Sequence, residues 1–159
     1  MAKIKAKTKT KIRIRKSKKV KIKKSLKIDD FNFVFDNILV PLILLDKNAK
    51  IRRVNDAWLE MFGDFITKDY INSSYFDLLN SLEKQKVYNL EIKNKIQKII
   101  EKAMAGNYKA KFLEFAIRDG WFLSHMHPMH TGKVLDGFVF TLHDVSLWKE
   151  KELALKKES

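Results

Sequence analysis

Apolar residues recur with a helical period in two parts of the chain. After Asp29 and Asp30, either of which can cap a helix, they fall at the spacing i, i+3, i+4, i+7 and i+8. These residues are Phe31, Val34, Phe35, Ile38 and Leu39. We expect Pro41 to end this helix. A longer helix is predicted over residues 89–105, and its buried stripe consists of Ile92, Ile96, Ile99, Ile100 and Ala103.

Shorter helices and five strands complete the pattern. The helices are predicted at 56–62, where Gly63 should stop the helix, around 68–71 and 75–79, and at 147–158. The strands are predicted at 42–45, 50–55, 108–117, 121–129 and 134–143. Two strands, then helices, then three strands indicate an α+β domain. We expect one five-stranded antiparallel sheet with helices packed on one face.

Three turns connect the predicted strands. Residues 46–49 form the first, and we expect Asn48 to adopt its left-handed conformation. The other two are hairpin turns at Asp119-Gly120 and at residues 131–133.

Positive charge is concentrated at one end of the chain. The net charge of the 159 residues is +14. Residues 1–27 hold 14 of the 33 Lys and Arg residues and none of the 19 acidic ones, so the remainder is balanced. We expect three regions: a disordered, low-complexity basic arm over 1–27, a domain over 28–146 and a terminal helix over 147–159. The arm either binds nucleic acid or an anionic membrane surface, or is a solvated leader.

Several classes of chemistry lack the residues they need. The absence of cysteine excludes disulfides, thiolate metal sites and flavin bound through cysteine, and it fits a cytoplasmic protein. No apolar run approaches the roughly 20 residues of a membrane-spanning helix, and there is no secretory signal. The sequence has no Gly-rich phosphate loop, Gly-x-Ser-x-Gly elbow or His-Glu-x-x-His zinc helix. We expect a non-enzymatic protein.

Four segments together resemble the PAS sensory domain family, over about residues 29–150. Residues 41–63 carry a proline, an apolar strand, a turn, a strand ending in Asn, an aromatic helix and Gly. Residues 121–129 resemble the family's penultimate strand with its trailing proline, and Gly137 lies in its last strand. Asp144-Val145-Ser146 resembles the exit motif that passes a signal from the sheet to an output helix. The resemblance implies a sensor or protein-interaction module.

Signalling residues and partners follow from that resemblance. Asp144 and Ser146 are expected to transmit the signal, and either can cap the helix that follows. The chain ends 13 residues after Ser146, so we expect it to report to a separate protein such as a kinase or regulator. The resemblance also implies a homodimer formed through the terminal helices. The candidate contacts are Phe31, Val34, Phe35, Ile38, Trp148 and Leu155. Intramolecular packing is the alternative.

The resemblance implies that a ligand would lie between the long helix and the inner face of the sheet, and that Phe122, Ser124 and Met126 point inward. The candidate pocket residues are Ile96, Ile100, Phe122, Ser124, Met126, Phe138, Phe140 and Leu142. The same set is also typical of a packed core. Noncovalent flavin, a small organic ligand such as a carboxylic acid, or no ligand remain open. The resemblance also disfavours haem, because haem-binding members of the family often use a histidine of the long helix as iron ligand and residues 89–105 contain none.

Histidines form the one cluster with metal-ligand chemistry. His125 and His127 share a strand face, and His130 follows them. Three partly exposed histidines around a hairpin are the alternative, and pH sensing is a third interpretation. Two hypotheses of other classes remain: a nucleic-acid-binding accessory protein acting through the arm, and a ligand-free dimerisation scaffold.

Overall fold

The computed structural model describes residues 28–67 and 69–158. The predicted basic arm and the side chain of Phe31 lie outside the described part. In chain order the elements are α1 (Ile28–Asn37), β1 (Leu42–Asp46), β2 (Ile51–Val54), α2 (Asp56–Phe62), α3 (Tyr75–Lys84), α4 (Leu90–Met104), β3 (Lys111–Ile117), β4 (Gly120–Thr131), β5 (Val134–Asp144) and α5 (Ser146–Glu158). The part of the chain from Asp36 onward forms one compact unit, which contains the whole sheet and helices α2 to α5.

The five strands form one antiparallel sheet in the order β2-β1-β5-β4-β3. The long pairing of β4 with β5 runs from Phe122 opposite Asp144 to Thr131 opposite Val134. Because side chains alternate across a strand, Ser124 and Met126 point into the core and are buried. The predicted α+β architecture is therefore confirmed.

Helices α2 to α4 supply the core that covers the inner face of the sheet. The predicted stripe of α4 is buried at Ile92, Ile96, Ile100 and Ala103, and Ile99 is half-buried. Aromatic rings link these helices to the strands. Tyr75 meets Phe140 edge-on with ring centroids 5.5 Å apart, and Tyr88 meets Phe115 at the same distance.

Of three local predictions, two were wrong for identifiable reasons. Helix α2 ends at Phe62 with Gly63 as its C-cap, as predicted, although Gly63 has a right-handed φ of −56° and begins a 3₁₀ turn, Gly63–Phe65. The hairpin turn of β3 and β4 is Arg118-Asp119, because Gly120 pairs with Ile117 within the sheet.

In the first turn, Ala49 and not Asn48 is left-handed, with φ of 60°. The carboxylate of Asp46 accepts hydrogen bonds from the backbone N–H groups of Asn48 and Lys50, both at 2.9 Å. These bonds fix the turn so that the left-handed position falls at Ala49.

Two helix boundaries also differ from expectation. Helix α1 ends at Asn37, before Pro41. Residues 69–71 form no helix, whereas α3 continues to Lys84, well beyond the predicted end. Ser74 caps α3 by accepting a hydrogen bond from Phe76 N at 3.2 Å.

Asn55 connects three segments through one buried amide. Its Oδ1 accepts from Leu42 N at 2.9 Å and from Trp58 N at 3.0 Å, capping α2. Its Nδ2 donates to the carbonyl oxygens of Ile38 at 3.2 Å and Val40 at 2.9 Å. The side chain is fully buried, so each of these backbone groups would lose its partner without it.

We predict that Asn55→Ala lowers the free energy of unfolding by about 3 kcal/mol or more, because several backbone groups lose their partner. The matched control is Asn89→Ala. Asn89 is exposed and makes one capping bond, to Ile92 N at 2.8 Å, so its loss should cost about 1 kcal/mol. Urea denaturation followed by circular dichroism measures both. Equal losses would contradict the role assigned to Asn55.

Candidate functional site

An inner cavity of about 20 Å³ lies between α4 and the inner face of the sheet. Five of the predicted pocket residues line it: Ile96, Ser124, Met126, Phe140 and Leu142. Ile100 and Phe138 are buried elsewhere in the core, and Phe122 is half-buried and lines a different cavity. This volume holds about one water molecule. An organic ligand would need the lining side chains to move.

Ser124 is the polar residue that the sequence singled out in this cavity. Its Oγ donates a hydrogen bond to the carbonyl oxygen of Thr141 on β5 at 3.1 Å. The hydroxyl proton is therefore used within the sheet.

Two tyrosines that were not predicted from the sequence add further polar side chains to the cavity lining. Tyr75 and Tyr88 line it, and both are buried. Neither hydroxyl has a hydrogen-bond partner among the described residues. Burial raises the pKa of both phenols, and for Tyr88 the nearby Tyr75 adds to the shift. Both phenols are therefore protonated at neutral pH, and each hydroxyl is a hydrogen-bond donor.

The segment Asp144-Val145-Ser146, which we call the exit joint, lies at the end of β5. It is hydrogen-bonded to the backbone of Trp121. The Oδ1 of Asp144 accepts from Ser146 N at 2.9 Å, and hydrogen bonds from the Ser146 side chain and then its backbone lower the pKa of Asp144. Ser146 Oγ accepts from Trp121 N at 2.9 Å, and Val145 N donates to Trp121 O at 2.9 Å. The start of α5 is thus attached to the start of β4.

Lys149 extends this attachment to the face of the sheet opposite the core. Its Nζ lies 2.6 Å from Glu114 Oε1 on β3 and 3.1 Å from Glu152 Oε2. It also lies 4.9 Å from the centroid of the Trp121 ring. We call Lys149, Glu114, Glu152 and Trp121 the exit clasp. Helix α5 has no buried residue along its length, so these polar contacts hold its first turns.

The pKa values of the clasp residues define the pH range in which the exit clasp is intact. Glu114 and then Glu152 raise the pKa of Lys149, and Lys149 lowers the pKa of Glu152. Its contribution is therefore present across neutral pH. It is lost as the pH falls through the lowered pKa of Glu152 or rises through the raised pKa of Lys149.

His125 and His127 alternate with the inward Ser124 and Met126, so they lie on the face of the sheet opposite the cavity. The rings of His125 and His127 lie 5.8 Å apart, and His125 stacks on Phe112 at 4.4 Å. His130 follows a register shift in the pairing of β4 with β5, where Asp136 of β5 is skipped, and its ring stacks on Tyr108 with centroids 4.7 Å apart. Among the described residues, no three His or acidic side chains are arranged to hold a metal ion.

The dimerisation candidates differ in their exposure. Val34, Ile38, Trp148 and Leu155 are exposed, whereas Phe35 is buried. Exposed apolar residues on α5 also include Leu147 and Leu153. None of the helices that the structure describes is both long enough and apolar enough to cross a membrane.

We predict that Lys149→Ala raises amide hydrogen exchange across residues 147–158, because the clasp is what holds α5 to the sheet. The control is Lys151→Ala, the same change at an exposed position of the same helix. Hydrogen-exchange mass spectrometry of the 159-residue chain compares the two. Unchanged exchange in the Lys149 variant, or an equal rise in both, would contradict the clasp.

Comparison with known proteins identifies the fold. A family model described as a PAS domain matches residues 30–94. No curated protein matches the chain. Among solved structures, the PAS domain of BvgS from Bordetella pertussis is 16% identical, with a TM-score of 0.57 over 83% of this chain and 98% of that one.

Two further solved structures come from sensor kinases. The sensor region of a sensor histidine kinase is 14% identical, with a TM-score of 0.55 over 69% of this chain, which covers only 40% of that region. The photoactive yellow protein domain of the sensor histidine kinase Ppr from Rhodospirillum centenum is 17% identical, with a TM-score of 0.50 over 70% of this chain and 91% of that one. The resemblance found in the sequence is thus confirmed: the domain has the PAS fold, and residues 30–94 match the PAS domain family.

Proposed function

We propose that this chain is a non-enzymatic sensory and protein-interaction module that reports the state of its inner cavity through helix α5. One observation carries the proposal: the strands that line the cavity also hold the exit joint. On β4, Ser124 lines the cavity and lies three residues from Trp121. On β5, Leu142 lines it and lies two residues from Asp144. A change in the cavity therefore reaches α5 through very short lengths of paired strand.

Such a module acts by changing the population of α5 orientations. A ligand or partner that binds one orientation better shifts the equilibrium toward it by its difference in affinity. Helix α5 suits this role because polar contacts hold it and its apolar side chains Trp148 and Leu155 remain exposed. These two residues lie seven apart, the spacing of a coiled-coil seam. Their partner in this proposal is the same helix of a second copy, with a separate kinase or regulator as the receiver.

The fold comparisons support a signalling role. Two of the solved structures with this fold belong to sensor histidine kinases. Their likeness to this chain is one of fold, and by analogy we assign the chain to the sensing side of a signalling pathway. Asp144 and Ser146 are the transmitting residues, because they connect β5 to α5 and to Trp121.

The chemistry of the inner cavity defines the ligand class. Tyr75 and Tyr88 each present a protonated hydroxyl, and the remaining walls are mostly apolar. A small organic molecule with a carbonyl oxygen or ring nitrogen would satisfy both donors. Noncovalently bound flavin has such acceptors, but it needs far more room than the present 20 Å³. We therefore favour a smaller molecule.

Two alternatives rest on specific observations. The small inner cavity favours a ligand-free scaffold. The test is an absorption spectrum of the purified chain together with its intact mass under native and denaturing conditions. A ligand sensor would carry a co-purifying species, whereas a ligand-free scaffold would not.

The charge of residues 1–27 favours a nucleic-acid-binding accessory protein. That function requires steeply salt-dependent binding that is abolished by deleting 1–27.

The proposal predicts that Met126→Ala, which enlarges the cavity on β4, raises hydrogen exchange in α5 more than in α4. The control is Leu79→Ala, a comparable truncation in the buried core on α3, away from the cavity lining. Exchange in α4 serves as the internal reference for overall destabilisation. If both variants raise α5 exchange by the same factor relative to α4, the cavity is not coupled to the exit helix.

A further inference from the structure

A second cavity, of about 150 Å³, lies beside the β3–β4 hairpin and plays no part in the function proposed above. We call it the hairpin cavity. Its walls are apolar side chains from α2, the following 3₁₀ turn, the segment before α4, and the hairpin. They include Met61, Phe65, Val87, Ile117 and Phe122. Phe62 is the one residue that it shares with the inner cavity.

The size of the hairpin cavity sets the size of its occupant. An apolar cavity of about 150 Å³ accepts one benzene-sized ring. Aromatic and aliphatic walls favour an apolar body of that size, because binding removes apolar surface from water on both sides. The hairpin cavity thus fits a single ring or a short alkyl chain.

Arg118 supplies the charge that this cavity would otherwise lack. It lines the cavity and is exposed, so it lies on the solvent side. Its guanidinium carbon lies 4.8 Å from the centroid of the Phe65 ring, another wall residue. Arg118 forms no ion pair with any carboxylate among the described residues. Its donors are therefore available to a ligand.

The backbone at Arg118 adds a second argument. Arg118 is the first residue of the two-residue turn between paired Ile117 and Gly120, and its φ is 53°. Hairpin turns with positive φ at this position favour glycine, and another residue there stores backbone strain. Arginine therefore occupies a turn position where glycine would make the fold more stable. Strain of this kind is found at ligand-binding positions.

We propose that the hairpin cavity binds a small carboxylate whose apolar body is one ring or a short alkyl chain. The body fills the space between Met61, Val87 and Phe122. The carboxylate pairs with the guanidinium of Arg118, whose planar fork matches its two oxygens. Gly120 lines the same cavity and immediately precedes Trp121, so a bound carboxylate would contact the strand end on which the exit joint is built.

The test is a ¹H–¹⁵N NMR titration of the 159-residue chain with sodium benzoate, with benzamide as the uncharged ligand of the same shape. We expect benzoate to give saturable shifts at residues 61–65, 87 and 117–122, and benzamide to bind more weakly. Arg118→Gly should weaken benzoate binding by about tenfold or more, because the charge-assisted hydrogen bonds are lost. Arg118→Lys keeps the charge but loses the planar fork. Its affinity for benzoate should therefore lie between those of the parent chain and Arg118→Gly.

Misfolding of Arg118→Gly can be distinguished from a loss of benzoate binding by its melting temperature. Glycine relieves the positive φ, so the variant should melt at the same or a higher temperature than the parent chain. The arm is unchanged in all variants, so benzoate shifts confined to residues 1–27 would show nonspecific binding and overturn the proposal.

Other results would also overturn it. Equal affinity of benzoate for the parent chain and Arg118→Gly would remove the role of Arg118, and equal binding of benzamide would remove the preference for a carboxylate. Shifts centred on Tyr75, Tyr88 and Ser124 would place benzoate in the inner cavity. That outcome would contradict this inference while supporting the proposed function.

Discussion

The pairing of β4 with β5 is the constraint on which the rest of the structure depends. Its register places Phe122 opposite Asp144 and Ser124 opposite Leu142. The same register therefore turns the cavity residues inward and brings the exit joint next to Trp121. A slip of one residue would turn every side chain of a strand to the other face, which would empty the core and separate Ser146 from Trp121. The long, buried inner face of these strands makes such a slip costly.

Different forces hold the two sides of this sheet. On the inner face, apolar burial fixes helices α2 to α4, and the amide of Asn55 ties β1 to α2. At the exit, helix α5 buries no side chain, and hydrogen bonds and ion pairs around Trp121 hold it. Polar contacts near the surface contribute less free energy than buried apolar area. Helix α5 can therefore move without disrupting the core, as the proposed reporting role requires.

The sequence predicted the features that depend on local pattern. Helical periodicity identified α4 and its stripe, and alternation identified the inward residues of β4. Features that depend on distant neighbours could not be predicted in this way. Tyr75 and Tyr88 lie in weakly patterned segments, and only the folded chain brings them to one cavity. Lys149 belongs to a charged helix whose sequence does not show that it meets Glu114 on β3. The predicted β3–β4 turn was one residue too late. Asp119-Gly120 is a typical pair of turn residues, but Gly120 pairs with Ile117 and the turn consists of Arg118 and Asp119.

The central claim is that the register and the clasp hold α5 in one orientation on the sheet. Because the chain contains no cysteine, two spin labels can be placed without removing native residues, at Lys102→Cys on α4 and Ala154→Cys on α5, both exposed positions. Double electron–electron resonance then measures the distance between them in the unliganded, magnetically dilute chain. We predict that one narrow distance dominates the distribution, with any second orientation a minor population. A broad distribution, with α5 sampling many positions, would contradict it.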